Sequence, residues 1–140
     1  ADNASATPEL LPASSTARRI LVVDDEALVA ETTSVMLQSR GHEVEMALSC
    51  EAALACARNQ TYDCALIDIR MPRIDGWTTL RRLRALQPEL PAVMMTGYAN
   101  EARATELMER FGVSVVYKPY KLAELEAALV NATKSLENPV

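Results

Sequence analysis

The residues of this chain whose types and spacing suggest chemistry are Asp24, Asp25 and Glu26, then Asp68, Thr96 and Lys118. Carboxylates brought close together repel and raise one another's pKa. A hard divalent cation with oxygen ligands, Mg2+ or Mn2+, relieves that repulsion. Mg2+ keeps several of its waters and so also accepts phosphate oxygens. The ammonium of Lys118 and the hydroxyl of Thr96 can hold further oxygens of the same phosphoryl group. A carboxylate in such a setting can act as a nucleophile and form an acyl phosphate. Phosphoryl transfer asks mainly for positioning and charge neutralisation, and these groups supply both.

Each residue also has a plain structural reading. Asp24-Asp25 suits a polar loop capping a helix. Asp68 suits a turn ahead of Met71-Pro72, and Thr96-Gly97 is ordinary turn chemistry. Lys118 before Pro119 suits a solvated loop. What distinguishes the set is its placement at the ends of successive strands, and that depends on the elements.

Five short apolar runs carry the strand signal: Ile20 to Val23, Val44 to Ala47, Cys64 to Ile67, Ala92 to Met95 and Val113 to Tyr117. Continuous apolar runs of this length suit strands buried on both faces of a parallel sheet. Glu45 marks the second run as an edge strand. Helical patterns alternate with the runs. The first spans Glu26 to Arg40 and ends at Gly41, and the second is capped by Ser49 and reaches about Arg58. A third carries Trp77, Leu80 and Leu83 and stops before Pro88. The fourth carries Ala104, Leu107, Met108 and Phe111, and the fifth Leu122, Leu125, Leu129 and Ala132. Strand and helix alternate five times, which implies a doubly wound α/β fold without fixing the strand order. Sites in such folds lie beyond the carboxyl ends of the strands. The first, third, fourth and fifth runs end in Asp24-Asp25-Glu26, Asp68, Thr96-Gly97 and Lys118-Pro119.

Composition bounds the alternatives. The chain has 140 residues, 49% apolar and 24% charged, with a net charge of −5. That balance argues against docking on a nucleic-acid backbone. No apolar run is long enough to span a bilayer, and no basic start leads into an apolar export signal. Cys50, Cys56 and Cys64 fit neither a disulfide framework nor a zinc site, so reduced thiols in a cytoplasmic protein are expected. Residues 1 to 17 read as a tail or linker, 18 to 135 as one domain and 136 to 140 as a C-terminal tail. His42, the single histidine, is expected in a surface turn. Arg81, Arg82 and Arg84 are expected on a solvated helix face.

From about Arg18 to Thr133 the chain resembles the receiver domain of two-component response regulators. The matching segments are Ile20 to Glu26, Asp68 to Gly76, Met95-Thr96-Gly97 and Tyr117 to Tyr120. The resemblance implies a flavodoxin-like, five-stranded parallel sheet of order 2-1-3-4-5 with five helices. It implies that Asp68 accepts a phosphoryl group from a phosphohistidine on a histidine kinase or phosphotransfer protein. Asp25, Asp68 and the backbone carbonyl of Arg70 would bind Mg2+, with Asp24 assisting. Lys118 would contact the phosphoryl group, and Thr96 would move to hydrogen-bond it. The signal would reach an output domain or downstream protein at the face of the fourth helix, fifth strand and fifth helix.

Three positions depart from or tune that pattern. Val115 stands where the family often has an aromatic residue that swings with the switch threonine. Arg70 and Tyr98, two residues after Asp68 and Thr96, occupy positions that set phosphoryl lifetime. Rival readings are a haloacid-dehalogenase-type phosphatase, a flavin carrier and a receiver that only docks partners. The first places its nucleophile after the first strand. The second needs a donor-rich loop where Asp24-Asp25-Glu26 stands. Retention of Asp24, Asp25, Asp68, Thr96 and Lys118 counts against the third.

Overall fold

The computed structural model describes residues 17–97 and 104–134. The sheet comprises β1 (Arg19–Val23), β2 (Glu43–Ala47), β3 (Cys64–Asp68), β4 (Ala92–Thr96) and β5 (Ser114–Tyr117). The helices are α1 (Ala27–Gln38), α2 (Cys50–Asn59), α3 (Gly76–Leu86), α4 (Ala104–Phe111) and α5 (Leu122–Ala132). All strand pairs are parallel, in the order β2-β1-β3-β4-β5. The expected alternation and strand order are both present. Among the described residues no helix is long and apolar enough to cross a membrane. The proposed tail lies almost wholly outside the described residues, as do Tyr98 and residues 135–140.

Period-two alternation divides the core into two layers. Leu21, Val23, Ala65, Ile67 and Met94 face α2 and α3, where Ala53, Ala57, Leu80 and Leu83 meet them. Ile20, Val22, Cys64, Leu66 and Met95 face α1 and α5, meeting Ala30, Leu37, Leu125 and Leu129. Every residue of β3 and β4 is buried, whereas β2 is largely exposed, as the edge position of Glu45 requires. Cys50 and Cys64 are buried and Cys56 half-buried, all as free thiols.

Local signals set the helix starts. The hydroxyl of Ser49 accepts from the Ala52 N–H at 3.1 Å, the capping role expected of it. Asp75 caps α3 by accepting from the Thr78 N–H at 2.9 Å. Gly41 has a φ of 91°, which favours glycine, just beyond the cap of α1. The first helix starts one residue later than expected, with Glu26 as its cap residue.

Two expectations are corrected. His42 is buried, with 6% of its surface exposed. Its Nδ1 accepts from the Arg18 N–H at 3.0 Å, and its Nε2 lies 3.2 Å from Glu126 of α5. It ties the start of the sheet to the last helix. Arg84 is half-buried, and its guanidinium donates to the carbonyls of Leu90 and Phe111. Burial lowers its pKa. Arg81 and Arg82 are exposed as expected.

The start of α3 presses against the end of β3. The Gly76 N–H donates to the carbonyl of Ile69 at 2.9 Å. A Cβ on Gly76 would collide with the carbonyl oxygen of Asp68 and lie 2.8 Å from the Cα of Ile69. Both neighbours are backbone, so relief requires moving the strand end. Gly76→Ala should therefore lower stability by about 1–3 kcal/mol, the usual cost of overpacking. Urea unfolding measures this, and an unchanged midpoint would contradict the close approach.

Candidate functional site

Three strands deliver the acids and the lysine to one edge of the sheet. β1 leads directly into Asp24 and Asp25, β3 ends in Asp68, and Lys118 follows β5. The Asp24 N–H donates to the carbonyl of Ala47 at 3.1 Å, and its carboxylate accepts from the Glu26 N–H at 3.0 Å. The Lys118 N–H donates to the carbonyl of Thr96 at 2.7 Å, fixing the lysine beside the end of β4. The Lys118–Pro119 peptide is cis.

The side chains converge as the sequence suggested. Asp24, Asp25 and Asp68 each offer a carboxylate oxygen, all within 4.8 Å of one another. Asp24 is fully buried, Asp68 is 6% exposed, and Asp25 is open to solvent. The Lys118 ammonium reaches both buried acids, at 3.1 Å from Asp24 and 3.5 Å from Asp68. Three carboxylates are grouped here, and one ammonium neutralises only part of their charge when they are ionised. Hard oxygen donors with an uncompensated negative charge suit Mg2+. Asp25 supplies the solvent-facing side through which an ion and a phosphate group can approach.

The electrostatics follow from burial. Desolvation pushes the Asp68 carboxyl up to about 6, and Asp24 adds to the rise, while Lys118 and the Arg70 N–H act against it. The Arg70 N–H donates to Asp68 Oδ1 at 3.3 Å. For Lys118, burial lowers the pKa, but Asp24 and Asp68 outweigh it and the net shift is upward.

Thr96 is fully buried at the end of β4. It follows Met95, whose Cα is the register partner of Asp68, so the hydroxyl-bearing residue neighbours the acid. Val115 is half-buried and packs against the core layer that holds Met108 and Phe111. Tyr117 pairs with Thr96 in the sheet register and is 36% exposed. Of the stripe expected on the fourth helix, Met108 and Phe111 are half-buried, and the side chains of Ala104 and Leu107 lie outside the described residues.

Sequence reasoning missed Tyr120. Its hydroxyl lies 2.6 Å from that of Thr33 in α1 and 3.4 Å from the sulfur of Met95. Burial raises its pKa. The tyrosine braces the lysine loop against the first helix. An aromatic residue two positions after Lys118 was the available signal.

A pH dependence follows. The folded Asp68 pKa of about 6 stands above the ordinary 3.8. The native state therefore holds the extra proton between those values, and metal-free stability falls as pH rises through that window. Asp68→Asn should abolish this fall and raise metal-free stability at neutral pH by about 1–2 kcal/mol. Urea titrations across the window measure both effects. A variant less stable than the parent at neutral pH would contradict the strain assigned to the ionised cluster.

Comparison with known proteins places this geometry. The response regulator receiver domain profile matches residues 20–130. Transcriptional regulatory protein ZraR of Escherichia coli (strain K12) is 34% identical over 113 residues, covering 81% of this chain and 26% of that protein. Transcriptional regulatory protein FixJ of Bradyrhizobium diazoefficiens is 30% identical over 118 residues, covering 84% of this chain and 58% of that protein. The chain thus spans about a quarter of ZraR and little more than half of FixJ. A CheY-like response regulator receiver domain protein from Methanospirillum hungatei superposes with a TM-score of 0.78 at 27% identity, covering 89% of this chain and all of that one. NtrX from Brucella abortus superposes at 0.81 with 30% identity, covering 88% of this chain and 28% of that one. This chain belongs to the response regulator receiver domain family of two-component systems.

Proposed function

We propose that Asp68 accepts a phosphoryl group from a phosphohistidine, and that Thr96 and Lys118 convert the new charge into a change of surface. Receiver domains of response regulators exchange signals with histidine kinases and output domains, and they generally bind Mg2+ at an acidic cluster. The observation that carries the reading for this chain is the buried Asp68 carboxylate, grouped with Asp24 and Asp25 and reached by Lys118.

An Asp68 carboxylate oxygen attacks phosphorus, and the bond from phosphorus to the donor imidazole breaks. The electron pair returns to the imidazole nitrogen, which takes up a proton. Asp68 must be ionised to attack, so the cation that stabilises its charge also keeps it reactive. Asp25, Asp68 and the carbonyl of Arg70 would hold the Mg2+, with Asp24 assisting. When bound, the ion neutralises charge on the phosphoryl oxygens. Lys118 exchanges part of its contact with Asp68 for a phosphoryl oxygen while keeping Asp24.

The Thr96 hydroxyl then donates to the phosphoryl group. Val115 has few rotamers and little reach, so the response runs through the backbone joining β4 to α4. The face of α4, β5 and α5 is the partner surface. Arg70 and Tyr98 slow hydrolysis of the acyl phosphate. On this reading the chain works in the cytoplasm, with its thiols reduced.

Acetyl phosphate with Mg2+ should add one phosphoryl group, and excess chelator should prevent it. Thr96→Ala should still take up the group yet lose most backbone chemical-shift changes in α4. Combining Arg70→Ala with Tyr98→Ala should shorten the lifetime of the label. Full uptake in chelator would remove the metal's role. Unchanged shifts in Thr96→Ala would remove the threonine switch, and a longer lifetime in the double variant would remove the shielding.

A further inference from the structure

A cleft of about 760 Å³ opens beside the loop that follows Asp68, between α3 and α4. That volume is within the range of binding pockets. Arginines from three separate elements line it: Arg70 after β3, Arg81 in α3 and Arg110 in α4. Asp75 is the one acid in its lining among the described residues, and its carboxylate already caps the Thr78 N–H. The guanidiniums of Arg81 and Arg110 against one engaged carboxylate make this cleft, among the described residues, locally positive in a chain of net charge −5. Among the described residues, neither Arg81 nor Arg110 has a carboxylate within ion-pair distance.

The apolar wall is built from Trp77 and Phe111, stacked with centroids 5.1 Å apart and planes 29° from parallel. The guanidinium of Arg110 lies 5.9 Å from the Phe111 centroid. The rings turn one face toward each other and Arg110 lies near Phe111, so an incoming group meets apolar surface flanked by guanidiniums. Guanidiniums bind carboxylates through paired, charge-assisted hydrogen bonds. A nucleic-acid strand would bring its charged backbone across the rest of an acidic surface. A short acidic segment fills the cleft without doing so.

We propose that this cleft docks an acidic segment of a partner protein, with Asp or Glu side chains on Arg81 and Arg110 and an aliphatic side chain against Trp77. The proposal needs no phosphoryl transfer at Asp68 and stands apart from that reading.

Trp77 is the only tryptophan of the chain, so its emission reports on the cleft directly. The probe is a short, blocked, tryptophan-free peptide of Asp, Glu, Leu and Ser. It should shift Trp77 emission saturably, and its Asn and Gln counterpart should not. Arg81→Glu combined with Arg110→Glu should weaken binding by about tenfold or more, a change of about 1.4 kcal/mol or more. Both side chains are exposed, and circular dichroism checks the fold. If the pair misfolds, Arg81→Gln alone should still weaken binding. Arg82→Gln, exposed on α3 outside the cleft, should leave binding unchanged. No saturable shift, an equal response to the uncharged peptide, or full affinity in the charge-reversed variant would overturn the proposal. So would a shift with ATP and none with the peptide, which would assign the cleft to small polyanions.

Discussion

One ammonium holds two buried carboxylates at the carboxyl edge of the sheet. Lys118 follows β5 and reaches Asp24 and Asp68 across the end of β4, so the segments after β1, β3 and β5 must share one edge of the sheet. A buried carboxylate without a partner is costly, and two side by side are worse. Lysine reduces that cost without removing it, because Asp25 joins the same cluster and Asp68 is still held near 6. The site therefore keeps an unmet demand for positive charge, and that demand fits it to bind a cation and a phosphoryl group together. On the proposed function, stability is given up locally for chemistry, a common arrangement at functional sites.

The fold exists to hold that edge still. Fully buried β3 and β4 fix where Asp68 and Thr96 enter the edge. The order β2-β1-β3-β4-β5 sets β1 beside β3, so Asp24 and Asp68 become neighbours although 43 residues separate them in the chain. Around this frame, local devices settle the loops. Gly76 allows α3 to start against the Asp68 backbone, Asp75 caps that helix, and Tyr120 braces the lysine loop on Thr33. The loop after Asp68 also holds Arg73 at a φ of 70°, a conformation that non-glycine residues rarely take.

Much of this was legible in the sequence because the signals are redundant. Buried parallel strands need continuous apolar runs, and the site residues fall immediately after those runs, so placing strands also places chemistry. Ser49 met its capping role for an equally local reason. The failures were long-range. A histidine after a glycine looks like a turn residue, and only the packing of α5 over the start of the sheet reveals that Glu126 and the Arg18 backbone partner it. Arg84 reads like Arg81 and Arg82, yet its position turns it toward the carbonyls of Leu90 and Phe111. Likewise, no pattern shows that Lys118 sits nearer Asp24 than Asp68. That distance depends on how three loops pack.

The central claim is that, of the clustered acids, Asp68 alone forms the acyl phosphate. Borohydride reduces an aspartyl phosphate to homoserine, a change that peptide mass spectrometry locates to one residue. After phosphorylation and reduction, homoserine should appear at position 68, with Asp24 and Asp25 intact. Homoserine at either of those acids, with residue 68 unmodified, would contradict the account.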